Sequence, residues 1–286
     1  MKKNKISLFT HNKARLFVLF LALFVINGHF YLRYYENVME VLKHIPIPVI
    51  NCYSTPSTVL ACPVGLLQHF IAIGTFTLAT MGILIIFGAL IGRWTCGWLC
   101  PFGFLQEFIY HAPIKKISIP RWTGIFKYLV LFGLVILAPR FITNELGLAD
   151  TWFCKVCPVG CLEAGIPVPI VRPDIRYLIG TMYWIKIVIL FVTVLIPSLF
   201  IKRPFCSVFC PLGAFYGMFN NISLLKLKFN KNKCNSCGLC KRECPIGLDP
   251  TKDYGSPDCI LCMNCTKEFC NAITPHFTLK NIKEKL

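Results

Sequence analysis

Negative charge is what this chain has least of. Thirteen Asp and Glu stand against 30 Lys and Arg, and charged residues make only 15% of the sequence, where average chains carry about 25%. With 55% apolar residues and a mean hydropathy of +0.61, an ordinary soluble domain is excluded. The apolar excess falls in runs, which predicts a membrane protein with an extramembrane end. The first run lacks a small-residue cleavage site, so a removable secretory leader is not predicted. A net charge of +17 would suit nucleic acid or anionic lipid, but its distribution offers a plainer source.

Four apolar runs approach the length a spanning helix needs, at about 16–32, 70–92, 125–143 and 178–201. The second carries no charge. Lys127 and Arg140 sit where they can snorkel from the third, and Lys186 is either a functional intramembrane charge in the fourth or a further snorkelling residue. With a cytoplasmic N-terminus, all but 7 of the 30 Lys and Arg fall in residues 1–15, in the central loop with Lys127, and in the tail. That is the positive-inside pattern, and it removes the need for a nucleic-acid partner. The predicted fold is an α-helical membrane protein: a basic cytoplasmic N-terminus (1–15), a four-helix membrane domain (16–225) and a cytoplasmic α+β domain (226–286).

That last segment organises the chain. It runs Cys234-x2-Cys237-x2-Cys240-x3-Cys244-Pro245 and then Cys259-x2-Cys262-x2-Cys265-x4-Cys270. The first run has the bacterial ferredoxin spacing, in which the fourth cysteine crosses to the other cluster. This predicts two 4Fe-4S clusters, one on Cys234, Cys237, Cys240 and Cys270, the other on Cys259, Cys262, Cys265 and Cys244. Zinc sites pair two Cys-x2-Cys ends across a longer spacer, and disulfide frameworks belong to small secreted chains. Asn271 follows Cys270, where a proline is commoner.

The membrane domain repeats. Arg93, Cys96, Cys100, Pro101 and Gly103 recur as Arg203, Cys206, Cys210, Pro211 and Gly213 at a constant offset of 110, and Cys62-Pro63-Val64-Gly65 recurs as Cys157-Pro158-Val159-Gly160. Two helix pairs are predicted, each with one such element outside and one inside, and repeat interfaces are where membrane proteins tend to place sites. Short interfacial helices over 102–110 and 212–219 would start at the prolines, with a cysteine at each positive end. Cys96, Cys100, Cys206 and Cys210 would then converge to hold a further iron–sulfur cluster, form redox disulfides, or bind Cu(I). The outer cysteines, Cys52 among them, allow disulfides or a sheltered cluster or metal site on Cys62, Cys154, Cys157 and Cys161, with Cys62 and Cys157 as symmetric ligands. His29 and His69 flank the first outer loop and offer a quinol contact, a proton acceptor, a haem ligand or plain packing.

Taken together, the four runs, the paired Cys-x3-Cys-Pro elements and the doubled ferredoxin motif resemble the NapH/NosR/CcoG-like family of polytopic membrane ferredoxins, over about 14–275. The resemblance implies quinol oxidation in the bacterial cytoplasmic membrane and relay through bound clusters to a partner redox protein, with Cys234, Cys237, Cys240, Cys244, Cys259, Cys262, Cys265 and Cys270 as ligands. A flavin-bearing outer domain of the NosR kind is missing, and the outer loops hold more cysteine than the family pattern requires. Alternatives are a copper-reducing or metal-handling assembly factor using the Cys-x3-Cys-Pro thiols, and a redox sensor, which the lack of a sensor or DNA-binding module disfavours.

Overall fold

The computed structural model describes residues 13–28, 45–52, 54–55, 58–75, 77–112, 115–117, 119–142, 150–266 and 272–277. His29 and Cys270 lie outside the described residues. α1 (Lys13–Ile26) buries Leu19 and Ile26 but exposes Phe17, Phe20, Phe24 and Val25; a helix apolar all round suits lipid rather than water. The uncharged run 70–92 is not one helix. α2 (Pro63–Ala72) ends in a turn through Gly74, at φ +73°, a conformation open to glycine at little cost, and α3 (Leu78–Ile91) starts afresh. α4 (Trp94–Trp98) and α5 (Pro101–Tyr110) follow.

Among the described residues two helices are long and apolar enough to cross a membrane, α6 (Trp122–Phe141) and, beyond α7 (Trp152–Val156), α8 (Pro158–Val171) and α9 (Pro173–Ile179), α10 (Thr181–Phe200). They match the third and fourth expected spans. Both widen into π-helix, at Val130–Leu137 and Phe191–Leu195, just before Pro139 and Pro197. Proline offers no N–H to the carbonyl four residues back and crowds it, and a π-bulge accommodates the mismatch. α11 (Pro204–Val208) and α12 (Pro211–Phe219) complete the helical part.

The short helices set two levels. α6 packs on α12 toward its first residues and on α2 toward its last, while α10 packs first on α8 and then on α5. On α6 the segments Phe126–Leu129 and Ala138–Phe141 make these contacts, centred roughly 18 Å apart along the helix axis. α5 and α12 lie at the level of the C-terminal lobe, and α2 and α8 at the far level.

The lobe joins β1 (Leu225–Phe229), α13 (Leu239–Arg242) and β2 (Ile273–Phe277). The strands are antiparallel, with Leu225 opposite Phe277 and Phe229 opposite Ile273. Pro275 is tolerated because a two-stranded ribbon leaves an edge where its missing donor is not needed. Leu225, Leu227 and Ile273 bury against Cys240 and Leu261. The lobe is fastened to the helical part: Asn220 Nδ2 donates to Ser256 O (3.1 Å) and Cys259 O (2.7 Å), and Trp98 Nε1 to Leu261 O (3.3 Å).

Candidate functional site

Cys100 and Cys210 cap α5 and α12, each with proline as the first helical residue. At Cys210 the sulfur accepts the Gly213 N–H (3.3 Å); at Cys100 the Gly103 amide faces the sulfur without closing the bond. Cys210 lies within charge–charge reach of Cys206, Cys96 and Cys100, so the four repeat cysteines form one lobe-side quartet. Burial first, then the neighbouring thiols, push Cys100 and Cys210 well above the usual thiol range. Four such thiols can be charged together only with a cation among them.

Two arginines bracket the quartet by exchange between the repeats. Arg93 Nη2 donates to Cys206 O (3.4 Å) and Arg203 Nη1 to Cys96 O (2.9 Å). Each guanidinium passes over the other repeat's glycine: a Cβ on Gly213 would lie 2.9 Å from Arg93 Nη2, and one on Gly103 2.8 Å from Arg203 Nη1. Arg203 takes a left-handed backbone, φ +45°, to make this turn. Both side chains are fully buried, and the Nε–H of each has no partner among the described residues. The Tyr216 hydroxyl, buried within reach of Cys96, is likewise unpartnered. Gln106, its counterpart in the first repeat, donates from Nε2 to Cys206 Sγ (3.2 Å) and accepts the Phe205 N–H at Oε1 (3.1 Å).

The carboxylates break the symmetry. Glu107 pairs with Arg203 (2.7 Å) and Arg15 (2.8 Å). Burial works to raise this carboxyl, but Arg203 and Arg15 outweigh it and hold it below the ordinary range. The equivalent position in the second repeat is Gly217, and a Cβ there would lie 2.9 Å from Pro257 O. The lobe fills that space, and its Asp258 supplies the missing carboxylate to Arg93 (3.5 Å) and to Lys127.

In the lobe, Cys265 lies within charge–charge reach of Cys262, Cys259 and Cys244. Burial raises Cys244 to about 11 and Cys259 to about 12. The loop presents these thiols through left-handed residues on either side of Cys262, at Leu261 (φ +47°) and Met263 (φ +61°). Ser236 (φ +54°) and Gly238 (φ +70°) do the same around Cys237. Non-glycine residues adopt this conformation only at a cost of about 1 kcal/mol or more. Such alternation turns successive amides to one side, as in the nests that receive iron–sulfur groups. Cys234, Cys237 and Cys240 share that loop form. Cys262 also feels Arg15, Glu107 and Arg203. A Cβ on Gly97 would lie 2.4 Å from Ile260 O and 3.4 Å from Cys262 Cα. The second lobe loop therefore rests on the turn that carries Cys96.

A family described as a 4Fe-4S binding domain matches the chain twice, over residues 73–120 and 183–232. The two matches begin 110 residues apart, the offset of the cysteine repeat. An uncharacterized protein of Methanocaldococcus jannaschii is 31% identical over 71% of this chain and 81% of its own length. The chain belongs to the NapH/NosR-like family of membrane ferredoxin-type proteins. The putative electron transport protein YccM of Escherichia coli is 28% identical over 68% of this chain and 54% of its own, and the regulatory protein NosR of Stutzerimonas stutzeri 26% over 62% and 23%. No solved structure matches the chain.

Membership gives this ferredoxin-type protein an iron–sulfur electron-transfer role in a membrane, and the lobe-side quartet fits a 4Fe-4S group. The donor set is all thiol. Two buried guanidinium groups with unspent Nε–H donors suit an anionic centre. No three His, Cys, Asp or Glu among the described residues stand close enough to hold one ion, whereas four irons in a cube let their thiolates stand farther apart. Every described cysteine is a free thiol.

At the far level the structure gathers Cys62, Cys154 and Cys157 with Cys52, rather than with Cys161. Cys161 looks toward Lys186 and Cys52. Lys186 lines the same cavity as the four thiols, so its charge is turned inward. Glu163 accepts the Cys52 N–H (2.7 Å), and burial raises it to about 7. His69 is exposed on α2 with its ring edge-on to Phe70. Sequence reasoning passed over Gln106, Tyr216, Glu107 and Asp258. The glutamine had a signal, since Cys-Pro-x-Gly-x2-Gln occurs at both Cys62 and Cys100.

Proposed function

We propose that this protein oxidises quinol and relays the electrons through iron–sulfur clusters to a partner redox protein, as the membrane subunit of an oxidoreductase, with both termini cytoplasmic. The ligands are Cys96, Cys100, Cys206 and Cys210 in the membrane domain, Cys244, Cys259, Cys262 and Cys265 in the near half of the lobe, and Cys234, Cys237, Cys240 and Cys270 in its far half. The carrying observation is the contact between Gly97 and the Ile260–Cys262 backbone, which sets the turn that carries Cys96 against the loop that carries Cys262. One-electron transfer is the chemistry a 4Fe-4S group supplies. The protein's own part is to hold the thiols, to offset their charge with Arg93 and Arg203, and to exclude water. Support for a quinol comes from an apolar cavity of about 780 Å³ between α1 and α5, lined by Phe17, Phe20, Phe102 and Phe104. It reaches Pro101, next to Cys100, and has the apolar lining that ring-shaped ligands take. Each quinol gives up two electrons, one at a time, and two protons to water. A copper-handling role through the Cys-x3-Cys-Pro thiols is the second reading, and it has less support because the matched family is described as a 4Fe-4S binding domain.

The test is anaerobic mixing of purified protein with a reduced short-chain quinone analogue. Bleaching of the broad visible cluster absorption, reversed by an oxidised partner, is the expected result. Full bleaching by dithionite with none by any quinol would overturn the reading.

A further inference from the structure

The far-level cysteines repeat the construction of the lobe-side quartet. There, Gln106 follows Cys100 by six residues, donates to Cys206 Sγ at 3.2 Å and accepts the Phe205 N–H at 3.1 Å. Gln68 follows Cys62 by six residues, donates to Cys154 Sγ at 3.4 Å and accepts the Phe153 N–H at 3.0 Å. Both glutamines are fully buried. In each case a Phe-Cys pair from the second half meets a Cys-Pro-x-Gly helix start from the first, and a second Cys-Pro-x-Gly start closes the set, at Cys157 or Cys210. Cys52 takes the place that Cys96 holds on the lobe side: Cys154 and Cys157 both feel it, and its sulfur would lie 3.6 Å from a Cβ on Gly160.

A neutral thiol is a weak acceptor, and a buried amide donor aimed at one forgoes most of its hydrogen-bond energy. Building that arrangement twice points to sulfurs that carry charge. The four far thiols line a cavity of about 230 Å³ together with Lys186, whose half-buried ammonium is placed to offset negative charge there. They lie outside both segments matched by the 4Fe-4S family.

We infer that Cys52, Cys62, Cys154 and Cys157 ligate a further four-iron cluster at the far face of the membrane domain. The inference rests, through the shared construction, on the reading of the lobe-side quartet as a cluster site. It gives electrons a port on the side opposite the ferredoxin lobe, so that the partner served there is a redox protein of the other compartment.

The test uses the full chain, purified anaerobically from membranes, with iron and acid-labile sulfide counted per chain. The Cys62→Ser/Cys157→Ser variant is expected to lose about four irons, and Cys100→Ser/Cys210→Ser a separate four. Unchanged iron in the far-side variant overturns the inference. Loss there with none in the lobe-side variant supports it and removes the lobe-side reading instead. Because either variant can fail to fold, the unmodified chain is also alkylated and mapped by mass spectrometry. A cluster shields all four far thiols until iron is chelated and then exposes them without a reductant. Thiols released only by a disulfide reductant overturn the inference.

Discussion

Replacing Gly97 with alanine tests the join between lobe and membrane domain. The new methyl would lie 2.4 Å from Ile260 O and 3.4 Å from Cys262 N and Cα. Carbon–oxygen contacts settle at about 3.3–3.6 Å, so the loop must retreat by about 1 Å. Only backbone is in the way, and it runs through two left-handed residues, Leu261 and Met263, which leaves little slack. Overpacking of this kind costs about 1–3 kcal/mol, or roughly 5- to 150-fold in the docking equilibrium. A helix gains up to about 1 kcal/mol from Gly→Ala, but it gains this with the lobe docked or not, so the docking equilibrium carries the full loss of roughly 1–3 kcal/mol. The Trp98 and Arg15 bonds at this turn, to Leu261 O and from Arg15 Nε to Gly97 O (2.8 Å), loosen with it. Gly82→Ala on α3 is the control, since nothing lies within 4 Å of its Cβ position. Hydrogen exchange over 256–265 should accelerate in Gly97→Ala alone, and electron passage from the lobe should slow. Equal protection in both variants would refute the packing argument.

Glu107→Gln leaves Arg15 and Arg203 buried against a neutral amide, at a cost of about 3–5 kcal/mol. Because the folded carboxyl titrates below its unfolded value of about 4.3, its stabilisation is complete above that pH and fades as pH falls through the lower folded value. Melting curves of wild type and variant should therefore stay apart at pH 5 and converge only well below about pH 4.3. Asp258→Asn weakens the anchor shared by Arg93 and Lys127; faster proteolytic release of the lobe, at a cost of about 1–3 kcal/mol and without loss of iron, is expected. Gln106→Leu removes an N–H from Cys206 Sγ. Hydrogen bonds to sulfur favour the more negative, reduced state, so redox titration by electron paramagnetic resonance should show one centre at lower potential with iron content unchanged.

The parts legible in the sequence are those where chemistry fixes spacing. Cys234, Cys237 and Cys240 announce their loop because three thiolates on one turn need those intervals, and the left-handed pairs at 236 and 238 and at 261 and 263 are the backbone form of that demand. The repeat was legible for the same reason. The break in the run 70–92 was not, because an uncharged stretch looks alike whether it spans or turns; only Gly74 marked the place. Cys52 comes up to Cys157 through an irregular loop that no spacing rule describes, whereas Cys161 lies one helical turn from Cys157, an interval the sequence displays directly. The Asp258–Arg93 pair joins residues 165 apart, and such a meeting exists only in the packed fold.

That pair explains why the lobe is part of the membrane domain's charge balance rather than an appendage. Two repeats exchange arginines across the quartet, and each buried guanidinium needs a carboxylate. The first repeat supplies Glu107. The second has Gly217 in that place, and the gap admits Pro257 and Asp258 from the lobe. A glutamate at 217 would have neutralised Arg93 within the membrane domain and would have kept the lobe away. By surrendering that side chain, the fold makes burial of Arg93 conditional on the lobe being seated. The same seating places the Ile260–Cys262 backbone against Gly97, so the charge that stabilises the domain and the approach of the Cys262 loop to the turn carrying Cys96 depend on one docking event.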